Sequence, residues 1–333
     1  MDKFISSFNE SKSLTRVDKG MWEDGDKGVG VKIEVELCDC EKLYANKFKV
    51  TRWLENYGPI YQGKLSLKNY SYWDDLINLN QVTEDEKNIL IAMSENEGNL
   101  DAVQSYDSEV FSAGAMQKTV KSTGKGEFSK QFAEFRDKYP TLYKIHAINC
   151  GWKVVGEGIN ATIYYNNSLL TYDNDITGEE LKAIIRKGCD VNSYGKSVYN
   201  KPLAAIVKLI SLKEFQELQV LDFISRLHEA ENKKLIIDSK NLTIKDFVTT
   251  KFGRALILDH SVNRPNSVLT NFKTALDNFF IDYPKVNKDP VAWGDNHVLY
   301  ENILLEYYRD ARHQMTDNIK RFNSLKDKLY ENN

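Results

Sequence analysis

The chain of 333 residues carries 45 basic and 48 acidic side chains, which leaves a formal net charge of −3. This balance lacks the basic surplus of most nucleic-acid-binding proteins, so we predict no nucleic-acid partner. No segment approaches the run of about 18 apolar residues that a membrane-spanning helix needs. Residues 1–30 also lack the apolar core of a signal peptide, and we therefore expect a protein made in the cytoplasm without one.

The first 80 residues differ in character from the rest of the chain. A polar lead over 1–30 contains several glycines, and residues 31–37 then alternate apolar and charged side chains. Alternation with a period of two predicts a half-buried strand. We expect residues 1–80 to form a small N-terminal region of mixed α/β structure. Its role is unknown, and delivery or docking is one hypothesis for it.

Helices dominate the prediction from Thr83 onward. Thr83 and Glu86 form a capping box before an apolar run, which predicts a helix over 84–97 that Gly98 ends. The remaining predicted helices cover 127–139, 177–188, 199–210, 212–230, 243–259, 267–281 and 297–329. The strongest strand candidate in this part is 161–165, which is rich in β-branched and aromatic residues. The expected fold class is mainly α (α+β), with residues 81–333 as one domain.

The cysteines and histidines show no pattern typical of a metal site. Four cysteines are present, namely Cys38, Cys40, Cys150 and Cys189. The one C-x-C pair among them does not have the usual zinc-binding spacing, and the five histidines show no ligand spacing. We predict no metal and no cofactor. The cysteines are interpreted as reduced thiols, as is usual in a cytosolic protein.

Glu97 is the first residue of a candidate catalytic pair. A carboxyl at the end of a predicted helix faces the negative end of the helix dipole, and burial against its own domain would add to this effect. Both effects disfavour ionisation, so the group keeps its proton to higher pH. A general acid that protonates a glycosidic oxygen near neutral pH needs this property.

Asp107 is the second carboxyl of the pair and follows Glu97 after a loop. Glycoside hydrolysis needs two carboxyls, about 5–5.5 Å apart for retention or about 6.5–9.5 Å apart for inversion. The sequence leaves both outcomes open. Ser112 lies on the next strand-like stretch, where it could position a water. Gly114 would allow a substrate to approach the backbone closely.

The order of these residues resembles two known families. Glu97-Gly98, Tyr106-Asp107 and Ser112-x-Gly114 resemble the helix, loop and hairpin of phage-type lysozymes. The stretch from Asp107 to Gly114, with the turn at 122–127, is similar to family 46 chitosanases. Later segments extend the likeness in the same order: Phe215–Gln219 with Arg226, Gly253–Pro265 and Tyr308–Met315.

The resemblance implies a two-lobed lysozyme-superfamily fold with a small hairpin at the substrate cleft. On the matching positions it implies Glu97 as general acid, Asp107 as general base and Ser112 as the residue that holds the water. Glu95 is the alternative acid, because Glu95-Asn96 matches the Glu-Asn pair of chitosanases. The expected substrate-binding residues are Tyr106, Gly114, Gln117, His260, Asn263 and Arg264.

The sequence leaves three functions open. The first is a muramidase-type peptidoglycan hydrolase, which the Glu-Gly pair and the short Glu-to-Asp gap favour. It would act in the periplasm or on the cell wall after specialised export. Its candidate partners are peptidoglycan or a related amino-sugar polymer, a secretion or injection machinery, and an immunity protein. The alternatives are a chitosanase-like hydrolase of glucosamine polymers and a non-catalytic structural or binding protein that keeps the fold.

Overall fold

The fold is mainly helical with several small antiparallel sheets. The computed structural model describes residues 47–94, 97–166 and 175–330, together with the backbone of 13–17 and 32–36. It contains 54% helix and 15% strand, which confirms the predicted mainly α (α+β) class. In the part of the chain described here, no helix combines the length and the apolar character needed to cross a bilayer.

Twelve strands are present in the described residues. They are β1 Ser13–Val17, β2 Lys32–Glu36, β3 Phe48–Trp53, β4 Asn56–Tyr61, β5 Val103–Gln104, β6 Phe111–Ala113, β7 Lys118–Val120, β8 Trp152–Val155, β9 Thr162–Tyr165, β10 Ser197–Val198, β11 Lys234–Ile237 and β12 Lys240–Thr243. The strands predicted near 31–37 and 161–165 are confirmed by β2 and β9.

Twelve α-helices are described as well. They are α1 Trp73–Asn78, α2 Glu84–Met93, α3 Glu127–Lys138, α4 Pro140–His146, α5 Gly178–Ile185, α6 Lys201–Ile210, α7 Lys213–Glu231, α8 Ile244–Phe247, α9 Lys251–Asn263, α10 Val268–Asp282, α11 His297–Ala311 and α12 Asn318–Leu329. The predicted helices over 127–139, 177–188, 199–210, 212–230 and 267–281 are confirmed, with small differences at their ends.

Three predicted helices differ from the observed ones. The first ends at Met93 rather than 97, where the Ser94 hydroxyl donates to the Ile91 carbonyl at 2.6 Å. The helix predicted over 243–259 is broken between α8 and α9, because the buried Glu301 carboxylate holds the backbone at 249–250 in an extended form. The helix predicted over 297–329 is broken before α12, where Asp317 has a left-handed φ of 54°.

The chain packs as two compact units, each made of two stretches of sequence. The first unit comprises Met1–Gly63 and Asp101–Phe215, and the second comprises Lys64–Leu100 and Gln216–Asn333. The predicted boundary at residue 80 lies inside the second unit. These units describe packing, and the separate role proposed for residues 1–80 stays a prediction.

The first unit is built on a six-stranded antiparallel sheet in the order β10-β3-β4-β5-β6-β7. Strands β3 and β4, from the predicted N-terminal region, therefore share a sheet with the hairpin β6–β7 of the candidate site. Helices α3 to α6 and the hairpin β8–β9 complete the unit. Its core is rich in aromatic residues, whose burial dominates the packing energy; they include Phe48, Phe111, Phe128, Phe132, Phe135, Trp152, Tyr165 and Phe215.

The second unit is almost entirely helical. Helix α2 packs against α9, α9 against α12, and α10 against α11. Its buried aromatic residues are Phe223, Phe247, Phe252, Phe272, Phe279, Trp293, Tyr308 and Phe322. Among the described residues, five charged side chains are also buried in this unit, and they include members of the candidate site: Glu86, Glu231, Asp259, Glu301 and Arg312.

Candidate functional site

Glu97 lies four residues beyond the end of α2, in the second unit. Its side chain is only 7% exposed, and its Oε1 accepts a hydrogen bond from Nη2 of Arg321 at 2.7 Å. Arg321 projects from the first turns of α12. The carboxyl is therefore buried, and the guanidinium of Arg321 holds it.

Arg321 also binds a second carboxylate, that of Asp259 on α9. Its Nε donates to Oδ1 of Asp259 at 2.8 Å. The other oxygen of Asp259 accepts from Nη1 of Arg312 at 3.0 Å, and both side chains of this pair are fully buried. Glu97, Arg321, Asp259 and Arg312 thus form a chain of alternating charges, called here the Glu97 network. Two acids face two guanidiniums, so the buried charges are paired.

Burial raises the pKa of Glu97 to about 7. The charge of Arg321 opposes this rise, the charge of Asp259 adds to it, and Arg226 on α7 opposes it. A group with this pKa holds its proton in a substantial fraction of molecules at neutral pH. The direction agrees with the expectation, and of the two expected causes burial is the one observed, because α2 ends before Glu97.

Asp107 lies in the first unit, in the loop that connects β5 to β6. Its Oδ1 accepts the backbone N–H of Glu109 at 3.0 Å, which closes the loop on itself. Its backbone carbonyl accepts Nη2 of Arg186 at 2.7 Å. The side chain is half-buried. Asp107 is thus held through the backbone of its own loop, whereas Glu97 is held through side-chain charges.

Three further predicted residues lie on the hairpin that follows Asp107. Ser112 in β6 is 2% exposed and pairs with Gln104 on one side and Thr119 on the other. Gly114 has a φ of 77° at the turn, a conformation that favours glycine. Gln117 has a φ of 50°, and its Nε2 donates to the Gly114 carbonyl at 3.2 Å. Their roles toward a substrate stay predictions.

Tyr106 immediately precedes Asp107 and is half-buried. Burial raises the pKa of its hydroxyl, and the neighbouring Asp107 charge adds to this effect. The phenol is therefore neutral at ordinary pH and can donate a hydrogen bond. Its predicted contact with substrate remains a prediction.

His260 lies near the end of α9 and is 1% exposed. Its Nδ1 is 2.6 Å from the hydroxyl of Tyr308, and burial together with the charges of Arg312 and Arg264 lowers its pKa to about 3. The ring is therefore neutral. This environment favours a packing role for His260 over the predicted contact with substrate.

Asn263 and Arg264 close the C-terminal end of α9. The side-chain amide of Asn263 donates to the Asp259 carbonyl at 2.8 Å, and Nη2 of Arg264 donates to the Gln314 carbonyl at 3.3 Å. Both residues are exposed. They cap the helix, as the local sequence allows, and their predicted substrate contacts remain predictions. Glu95, the alternative acid, lies outside the described residues.

Two arginines that hold the candidate carboxyls were not recognised in the sequence. Arg321 belongs to a terminal segment rich in charge, where its pattern is the same as that of solvated lysines. Arg186 lies near the end of the predicted helix over 177–188 and is 77 to 81 positions from the loop residues that it binds. Long-range pairing of this kind leaves no local signal in the sequence.

Two of the cavities in the second unit are lined by residues outside the Glu97 network. The smaller, of about 520 Å³, is lined by Lys68, Asn88, Ile91, Ala92, Ser94, Lys251, Lys328, Leu329 and Tyr330. Its lining holds three lysines and, among the described residues, no carboxylate. A larger open cavity follows one face of α12. The described residues contain no group of three or more His, Cys, Asp or Glu side chains that could hold a metal ion.

Comparison of the chain with protein-family models, curated proteins and solved structures found no match.

Cys150 is disulfide-bonded and Cys189 is a free thiol. The expectation that all four cysteines are reduced is therefore wrong for Cys150. Spacing along the chain could not reveal this bond, because a disulfide depends on which cysteines the fold brings within bonding distance.

Proposed function

We propose that the protein is a muramidase-type glycoside hydrolase that cleaves β-1,4 bonds of peptidoglycan by general acid and base catalysis. The observation that carries this proposal is the Glu97 network. Three of the segments on which the resemblance rests meet in it, since they supply Glu97, Asp259 and Arg312. Glu97 and Asp259 are about 160 residues apart, and Asp259 and Arg312 are about 50 apart. Their order in the sequence does not by itself bring these side chains into contact.

Glu97 is the general acid of the proposed reaction. Its pKa of about 7 leaves a proton on the carboxyl near neutral pH. The general acid passes this proton to the glycosidic oxygen as the bond breaks, and such a transfer contributes about 10²–10⁴-fold to a rate. Asp107 is the general base that activates a water.

The Glu97-Gly98 pair and the short gap between Glu97 and Asp107 support peptidoglycan over chitosan as the substrate. A chitosanase-like activity is therefore the second candidate rather than the first.

The proposed place of action is the periplasm or the cell wall, reached by specialised export. A disulfide at Cys150 suits an oxidising compartment, where such bonds persist. The machinery that delivers the protein and an immunity protein that protects the producing cell are the proposed partners.

The proposal is tested by measuring release of reducing ends from purified peptidoglycan and from chitosan. Glu97→Gln is expected to lower the rate on peptidoglycan by about 10²–10⁴-fold, and Asp107→Asn to lower it comparably. Glu84→Gln, on the exposed face of the same helix α2, is the matched control and should retain the wild-type rate. Glu95→Gln is measured in the same assay, because Glu95 is the alternative general acid.

Two outcomes would change the assignment. Loss of activity in Glu95→Gln alone would move the general acid to Glu95. Wild-type activity on chitosan but not on peptidoglycan would replace the first candidate by the second. If the wild-type protein releases no reducing ends from either polymer, the hydrolase proposal fails and the non-catalytic alternative stands.

A further inference from the structure

The loop that carries Asp107 is bound from one side by the end of α5. Arg186, directly after this helix, donates from Nη2 to the carbonyls of Asp107 at 2.7 Å and Glu109 at 2.9 Å. Its Nε donates to the Ser105 hydroxyl oxygen at 3.1 Å. Lys182, one turn earlier, donates to the Ser108 carbonyl at 2.8 Å. Lys182 and Arg186, four positions apart, thus bind four residues of the loop: Ser105, Asp107, Ser108 and Glu109.

The loop itself contributes few bonds that would hold Asp107 in place. The Ser105 hydroxyl donates to the Val110 carbonyl at 2.6 Å, which ties the two ends of the loop together. Between these ends, the backbone N–H of Glu109 donates to the Asp107 carboxylate at 3.0 Å. Without Arg186, three acceptors at the loop would lose a charged donor.

Arg186 is suited to hold this loop rather than to interact with solvent. It is half-buried, and burial lowers its pKa while the Asp107 charge acts in the opposite direction. The planar guanidinium binds two carbonyls and a hydroxyl from two nitrogens in a fixed geometry, which the single nitrogen of a lysine does not reproduce. The cation therefore lies where it both fixes the Asp107 backbone and attracts the Asp107 carboxylate.

We infer that Arg186, assisted by Lys182, is a positioning residue that holds Asp107 in its working geometry. This inference rests on the proposed function, in which Asp107 is the general base. Arg186 acts on the reaction through the Asp107 loop. Displacing a catalytic group by about 1 Å can cost about 100-fold in rate, which sets the expected effect.

The kinetic test uses three variants on peptidoglycan. Arg186→Ala is expected to lower kcat by about 100-fold with KM nearly unchanged, and added methylguanidine should restore part of kcat. Arg186→Lys keeps the charge but loses the fixed geometry of the guanidinium donors. Its kcat should lie between those of Arg186→Ala and the wild type. Lys182→Met removes one contact and should stay within about threefold of wild type, since the Arg186 contacts remain.

A second measurement separates this inference from the proposed function. Hydrogen exchange at the amides of Glu109 and Val110 should be faster in Arg186→Ala, while exchange in β8 stays unchanged and shows that the unit remains folded. An active wild type whose Arg186→Ala variant keeps its kcat would overturn the inference. If the wild type proves inactive on every glycan, the proposed function fails, and the exchange rates alone decide whether Arg186 holds the loop.

Discussion

The two candidate carboxyls lie in opposite kinds of surroundings. Glu97 is buried in a network of side-chain charges, and its pKa is raised to about 7. Asp107 is half-buried in a loop whose contacts are mainly with backbone carbonyls and a backbone N–H. Pairs of titratable groups in contrasting environments are how enzymes assign acid and base roles. Burial, opposed by the Arg321 charge, therefore tunes the pKa of one group, while loop geometry places the other.

The largest expected effect comes from removing the cation that Glu97 and Asp259 share. Arg321→Met leaves two buried carboxylates with one fewer guanidinium, and breaking such a buried pair costs about 3–5 kcal/mol of unfolding free energy. Urea unfolding measures it. The control is Lys130→Met, which removes a half-exposed pair with Glu134 in the first unit and should change little. A loss below about 1 kcal/mol in Arg321→Met would show that Glu97 does not depend on this network.

A smaller effect is expected in the pH dependence of stability. The pKa of Glu97 is raised in the folded state, so its contribution is fully present below pH about 4.5 and is lost as pH rises through about 7. The loss between pH 5 and pH 8 amounts to about 2–3 kcal/mol. Glu97→Gln should remove this loss, so its stability relative to wild type should increase with pH. Parallel stability curves for the two proteins would contradict burial of the charged form.

His260 predicts the reverse pH dependence within the same region. Its pKa is lowered to about 3 in the folded state. Its contribution to the free energy of unfolding is therefore fully present above pH about 6.5 and is lost as the pH falls from about 6.5 toward 3. By pH 5 the loss should be about 2 kcal/mol. His260→Gln should be less sensitive to acid than wild type, as measured by thermal unfolding at pH 7 and pH 5. A variant as sensitive as wild type would show that the ring is already solvated.

The smallest expected effect concerns the hairpin next to Asp107. Gln117 adopts a φ of 50°, which costs a non-glycine residue about 1 kcal/mol. Gln117→Gly should therefore be at least as stable as wild type, with a gain below about 1 kcal/mol. If Gln117 also contacts substrate, KM should rise in the same variant. Gly114→Ala, at a φ of 77°, is the opposite control and should destabilise the protein. Unchanged KM in Gln117→Gly would remove this residue from the candidate site.

Predictions from the sequence were correct where the structural feature depends on residues close together in the chain. Most helix positions were predicted because capping residues and apolar periodicity act within a few residues, as at Thr83 and Glu86. The breaks at 248–250 and 312–317 were not predicted, because a distant carboxylate imposes the first and a single left-handed residue marks the second. The direction of the Glu97 pKa shift and burial as one of its causes were predicted, whereas the charges of Arg321 and Asp259 were not.

The sequence by itself determined the helical class, the main element positions and the two carboxyls worth testing, because these depend on residue type and short-range spacing. Only the tertiary structure decided what surrounds those carboxyls. Arg321 reaches Glu97 across 224 positions, and Arg186 reaches the Asp107 carbonyl across 79. The protonation of a buried acid depends on such distant charges and on exclusion of water. Neither the distant charges nor the exclusion of water leaves a pattern in the local sequence, because both arise only when the chain has packed.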